Sequence, residues 1–144
     1  MAIYTPDDKI LQFKTTHPNL DAHFLGEVEK AFNLTETAYG AEIIIKSAIF
    51  YQRIDAYITG YSNSFVANCG GISGLPGSYS ATGNVYTDDL DKLFSETVSV
   101  MFVFAVVYSS LIWFDSSSNA LGSFQGGGFN LLSGSGGGKG SWSN

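Results

Sequence analysis

Apolar positions recur at helical spacing over one long stretch of this chain. Leu20, Phe24, Leu25, Val28, Ala31 and Phe32 fall on one face, which predicts an amphipathic helix over residues 19–38. Asn19 after Pro18 suits its N-cap, Glu27 and Glu29 are expected to face water, and Gly40 is a reasonable stop. Residues 1–17 have mixed polarity and read as an arm or a short extended piece.

From Ala41 the pattern changes to that of strands. Ile43, Ile44, Ile45, Ala48, Ile49, Phe50 and Tyr51 form one apolar block, followed by Tyr57–Tyr61, Ser64–Ala67 and Tyr79–Tyr86. Thr87–Phe94 reads as a short helix. Its acids sit at the N-terminal end, where the helix dipole favours them, and Leu90, Leu93 and Phe94 would plug an opening in a sheet structure. Thr97–Tyr108 is predicted as one long strand, apolar on both faces, with Phe102, Phe104 and Val106 on one and Met101, Val103 and Ala105 on the other. Leu111–Phe114 and Ala120–Gln125 flank Asp115-Ser-Ser-Ser-Asn119, a turn-forming cluster. Phe129–Leu132 is the last apolar piece. The run Val98–Phe114 is shorter than the ~20 apolar residues a membrane-spanning helix needs, and its Val, Phe and Tyr favour strands.

Glycine then shapes the picture. Six of 17 glycines lie between Gly60 and Gly83 and nine between Gly122 and Gly140. Isolated glycines in strand patterns mark bulges and bends, and a sheet that curls and closes needs them. Many short strands with glycine turns indicate a sandwich or barrel. Low strand charge favours a closed barrel, because open edges are usually guarded by Lys or Pro.

Composition narrows the class further. A chain of 144 residues fits one domain with a core of its own. Apolar residues make up 44% and aromatics 15%, which excludes disorder. Net charge is −6, and only Lys92 and Lys139 among the basic residues follow Arg53, so a nucleic-acid partner is not expected. After Glu96 the only charges are Asp115 and Lys139. The single cysteine, Cys69, allows no internal disulfide. Met1–Lys14 has neither a positive n-region nor an apolar h-region, so no secretory signal is expected there.

No reactive constellation emerges, and the expectation is a chain with no catalytic, cofactor-binding or metal-binding residues. The tail Ser133–Ser141 superficially suggests a phosphate loop. It has Ser133 where glycine is required and Gly140 where Ser or Thr is required, so no nucleotide is expected, and it reads by itself as a flexible or tightly turning terminal segment with Trp142 as an anchor. His17 and His23 are six apart, a spacing that suits no helical metal pair. Nothing local activates Cys69, which reads as a packing residue. Asp88, Asp89 and Asp91 lack the spacing and closing Glu of a calcium loop, and Gly71-Ile-Ser73-Gly74 is not a nucleophile elbow. The aromatics are expected mostly in the core rather than in a sugar or lipid site.

An ordered set of pieces nevertheless carries a resemblance. These are Gly70-Gly-Ile-Ser-Gly-Leu-Pro-Gly77, Val85-Tyr-Thr87, Leu93-Phe94 leading to Thr97 and Ser99, Val107-Tyr108, Phe114-Asp115, Asn119-Ala-Leu-Gly122, Phe124-Gln125 and Gly136-Gly-Gly-Lys-Gly-Ser-Trp142. In order and spacing they resemble the second half of the virulence-associated protein (Vap) family of actinobacterial pathogens that live inside macrophages. The resemblance implies a compact eight-stranded antiparallel Greek-key β-barrel with one short helix, Asp88–Phe94, over residues 41–144, and it makes the glycine-rich tail part of that domain. Residues 1–40, an N-terminal arm and helix, are not part of the shared barrel, and whether the helix packs on it is left open. It also implies a secreted protein that acts on the host endolysosomal compartment, with no catalytic residues to carry over. The expected function is a non-enzymatic effector that binds a host or target surface, with a membrane lipid or a host protein as partner. A small-ligand or lipid carrier and a protein–protein interaction module are the other readings, and oligomeric state is left open.

Overall fold

The computed structural model describes residues 22–32, 37–48, 51–74, 76–105, 108–129 and 132–143. Its elements are α1 (Ala22–Phe32), β1 (Ala38–Ala48), β2 (Tyr51–Ile58), β3 (Ser64–Cys69), β4 (Ile72–Gly74), β5 (Gly77–Tyr86), α2 (Leu90–Glu96), β6 (Ser99–Phe104), β7 (Tyr108–Phe114), β8 (Ala120–Gly127) and β9 (Leu132–Ser143). All pairings are antiparallel and run β3-β2-β1-β5-β8-β7-β6-β9, with β9 returning to β3 to close the sheet. The short β4 continues β3 along β9 beyond a kink at Gly70 and Gly71, so the barrel is eight-stranded. Two Greek keys build it: β5-β1-β2-β3 and β9-β6-β7-β8.

Alternation along each strand sorts side chains between interior and exterior. In β1, Ala41, Ile43 and Ile45 are buried while Glu42 and Lys46 are exposed. The interior is filled by Phe65, Phe102, Phe104, Trp113, Phe124 and the aliphatic side chains between them. Room for these rings comes from β9. Its inward positions Gly134, Gly136, Gly138 and Gly140 lie opposite Phe104, Phe102, Val100 and Ala67, and Trp142 lies opposite Phe65. The glycine-rich tail is therefore the closing strand, not a flexible or tightly turning end. Gly71, with φ +91°, marks the kink, where a Cβ would lie 2.1 Å from the Ser135 carbonyl oxygen.

Residues 97–108, expected as one strand, divide into β6, a reversal and β7. Phe104 pairs with Ser109, and Ala105 N–H donates to the Tyr108 carbonyl at 2.9 Å. The reversal carries no Gly, Pro, Asn or Asp, so local turn chemistry gives no warning of it. The doubly apolar pattern is explained by two cores. Phe102 and Phe104 point into the barrel, whereas Val103, Tyr108, Ile112, Phe114 and Ala120 form a second cluster outside it, beneath Val28 and Ala31 of α1. Val106 lies outside the described residues.

The first helix thus packs on the outer face of the barrel. It is shorter than expected: residues 38–40 already belong to β1, so Gly40 is a strand residue rather than a helix stop. Asn19 and Leu20 lie outside the described residues. Glu27 does not simply face water but accepts the Ala120 N–H at 2.8 Å, tying α1 to the start of β8. Among the described residues no helix is long and apolar enough to cross a membrane.

The second helix caps one end of the barrel. Asp89 is its N-cap, accepting the Lys92 N–H at 3.0 Å. Leu93 is fully buried beneath it, with Leu90 and Phe94 packed against the same core. Burial of Leu93 contributes about 1.5–3 kcal/mol. Thr87 Oγ1 donates to the Leu121 carbonyl at 2.7 Å and Thr97 Oγ1 to the Leu93 carbonyl at 2.6 Å, fixing both ends of the cap.

The β7–β8 turn at this same end is organised by Asp115. Its carboxylate accepts from the backbone N–H groups of Ser117 and Asn119, both at 2.9 Å, and from the Asn119 side-chain amide at 3.3 Å. Partial burial pushes the carboxyl pKa up, but these hydrogen bonds and the charge of Lys92 outweigh it and hold the group below its usual value. Asp115→Ala is expected to cost about 1 kcal/mol at neutral pH, the scale of a lost cap. A depressed folded pKa stabilises above the unfolded value of about 3.9, and that contribution disappears as pH falls through the folded pKa. Urea titrations of parent and variant should therefore differ at pH 7 and converge in strong acid. A constant gap across that range would contradict the assignment.

Candidate functional site

The α2-capped end gathers an aromatic path from the core to solvent. Trp113 on β7 and Phe65 on β3 meet edge-on with centroids 5.8 Å apart, and both contact Trp142 on β9, at 5.3 and 5.5 Å. Trp142 meets Phe94 of α2 at 5.1 Å, and Phe94 meets Tyr61 at 5.9 Å. Tyr61 also meets Tyr39 at 6.1 Å, and it is 46% exposed whereas Trp113 is fully buried. A turn after β2 delivers Tyr61 to this position. Its N–H donates to the Ile58 carbonyl at 3.1 Å, and Gly60 takes φ +88°.

Around the outer end of this path lies an open groove of about 730 Å³, lined by Tyr61, Asn63, Asp91, Phe94, Ser95, Trp142 and Ser143. Trp142 is the buried wall of the groove, and its indole N–H has no protein acceptor among the described residues. The same is true of Trp113 deeper in the barrel. A second concavity, of about 500 Å³, includes Glu42, Tyr57, Thr59 and Thr82.

The residues weighed for chemistry in the sequence are scattered. His17 lies outside the described residues. His23 is exposed on α1, its Nε2 3.0 Å from the Ser118 carbonyl oxygen, to which it donates in the Nε2–H tautomer. Cys69 packs against the interior cluster, and burial pushes its thiol up to about 11, so it is a thiol rather than a thiolate at neutral pH. Asp89 is committed to capping α2, while Asp91 reaches the groove. Among the described residues no three His, Cys, Asp or Glu side chains gather as a metal site. The tail Ser133–Ser141, weighed as a phosphate loop, is strand β9.

Along the sequence Tyr61 falls at the end of a strand pattern, and no local signal marks Asn63, Ser95 or Ser143. A Thr-Gly pair before Tyr61 was the available turn signal. Nothing local joins residues 61–63, 91–95 and 142–143, which only closure of the barrel brings together.

The family model described as Rhodococcus equi virulence-associated protein matches residues 7–143. Among solved structures, the virulence-associated protein VapB from the intracellular pathogen Rhodococcus equi is 34% identical with a TM-score of 0.70, over 76% of this chain and 99% of that one. VapD from the same organism is 31% identical with a TM-score of 0.68, over 74% and 97% respectively. No curated protein matches the chain. With a family model spanning nearly its whole length and two barrels of the same kind covered almost end to end, the chain belongs to the Rhodococcus equi virulence-associated protein family.

Proposed function

We propose that the protein works by binding rather than by catalysis, presenting the α2-capped end of its barrel to a host or target surface. The observation that carries this reading is the continuous aromatic path from a filled interior to the exposed ring of Tyr61. Large aromatics occupy the barrel interior, which disfavours a carrier with its ligand inside. The open groove lies outside, where a flat or projecting partner can reach it. Membership of a family not known for enzymes supports the same reading.

The test is cosedimentation of the full chain with macrophage membranes, run beside protein-free vesicles of phosphatidylcholine with and without phosphatidylserine, at pH 7 and pH 5. Saturable binding to the cell membranes is expected. The net charge of −6 opposes attraction to anionic vesicles at neutral pH, so any binding there should grow at pH 5 as carboxylates protonate. Absence of binding to every membrane at both pH values would overturn the surface reading.

A further inference from the structure

We infer that the groove at the α2-capped end is a binding site for a neutral saccharide, an inference that rests on the surface-binding reading and names its ligand class. Tyr61, Phe94 and Trp142 supply aromatic surface, while Asn63, Asp91 and Ser95 supply an amide, a carboxylate and a hydroxyl. Among the described residues no Lys or Arg lines the groove, so these offer no counter-charge to a phosphate, a sulfate or a carboxylate. A fatty chain is a poor match as well, because hydrogen-bonding groups share the lining with the aromatic residues.

A sugar ring has the complementary chemistry. Its axial C–H bonds form a faintly positive, apolar face that suits the negative face of an aromatic ring. Its hydroxyls donate to a carboxylate and exchange hydrogen bonds with amides and other hydroxyls. The size fits, since small-molecule sites enclose roughly 300–1,000 Å³ and the groove about 730 Å³. Trp142, 9% exposed, forms the buried aromatic wall of the groove.

The second concavity repeats the same combination. Tyr57 is 42% exposed and stands with Glu42, Thr59 and Thr82. Each depression thus combines an exposed tyrosine, one carboxylate and hydroxyls, the set that suits a unit of a saccharide chain. Such a chain can come from a membrane glycolipid, from a surface glycoprotein or from free oligosaccharide, and all three present the same groups to the groove.

The experiment is a screen of the full chain against immobilised neutral oligosaccharides of glucose, galactose, mannose and N-acetylglucosamine. The strongest hit is then titrated calorimetrically in free form and floated as a glycolipid in phosphatidylcholine vesicles. Tyr61→Ala should weaken binding at least about tenfold, equivalent to ~1.4 kcal/mol, and Asp91→Asn should weaken it measurably. Both side chains are exposed or partly so, and unchanged far-ultraviolet circular dichroism would show that the barrel persists. Binding of the free sugar identifies a soluble or glycoprotein source as sufficient, whereas binding only to the vesicles identifies the glycolipid; either supports the site provided Tyr61→Ala weakens it at least about tenfold. Sugar binding that survives Tyr61→Ala would overturn the assignment. So would competition by phosphocholine but by no sugar, since aromatics beside a carboxylate also suit a quaternary ammonium. Macrophage membranes bound without any saccharide dependence would overturn the sugar inference and leave the surface-binding reading standing.

Discussion

Gly138→Val is expected to prevent the barrel from closing. Gly138 lies on β9 between Cys69 of β3 and Val100 of β6, so both its neighbours are ladder partners. A Cβ there would sit 2.1 Å from the Asn68 carbonyl oxygen and 2.9 Å from the Cys69 sulfur. A carbonyl in a hydrogen-bonded strand cannot move aside without breaking the pairing that closes the sheet. The expected loss is about 3 kcal/mol or more, the scale of severe overpacking, and it would expose two strand edges to aggregation. Gly127→Ala is the internal control, because a Cβ at Gly127 meets nothing within 4 Å. Urea denaturation followed by circular dichroism should show Gly127→Ala within about 0.5 kcal/mol of the parent and Gly138→Val far below it. A Gly138→Val protein as stable as the control would show that β9 does not close the barrel.

Trp113→Ala is expected to cost about 3–5 kcal/mol, the usual range for deleting a fully buried aromatic side chain. Trp113 faces Val100 on one side and Gly122 on the other, and it contacts both Phe65 and Trp142. The cavity has little means of collapsing. A Cβ at Gly122 would already approach the Tyr86 carbonyl oxygen at 2.9 Å, so that wall is backbone rather than a movable side chain. Trp113→Phe keeps a ring in the same place and should cost clearly less. Equilibrium unfolding gives the stability difference, and loss of Trp142 packing would appear in tryptophan fluorescence. A cost below about 1 kcal/mol for the alanine variant would contradict a rigid, filled interior.

These two residues mark how the interior is made. Bulky rings come from β3, β6, β7 and β8, and the missing volume opposite them comes from the inward glycines of β9. The same strand carries Trp142, which links the interior to the groove. A change that loosens β9 therefore affects both stability and the candidate site.

Much of this was legible along the chain. The strand-rich texture after residue 40, the apolar plug of Leu90, Leu93 and Phe94, the turn at Asp115–Asn119 and the apolar face of α1 follow from periodicity and turn chemistry, which are local properties. Alternation in β9 was equally present: glycine or tryptophan occupies residues 134, 136, 138, 140 and 142, with serine or lysine at most positions between. That period-2 signal was masked by the flexibility usually attached to glycine-rich tails.

The boundaries that went astray have one cause. The β6–β7 reversal lacks turn residues, Gly40 lies in a strand and Glu27 bonds a distant backbone N–H, because each is decided by contacts with another part of the barrel. By itself the sequence determined that this is a mostly β chain with one amphipathic helix, a short helical plug and strands coded by alternation. Tertiary structure alone decided where β6 turns back, that the tail becomes the closing strand and that residues 61, 91 and 142 share one groove. Those outcomes depend on long-range pairing, and the physical reason they were hidden is that a closed sheet sets its partners through register between strands far apart in sequence.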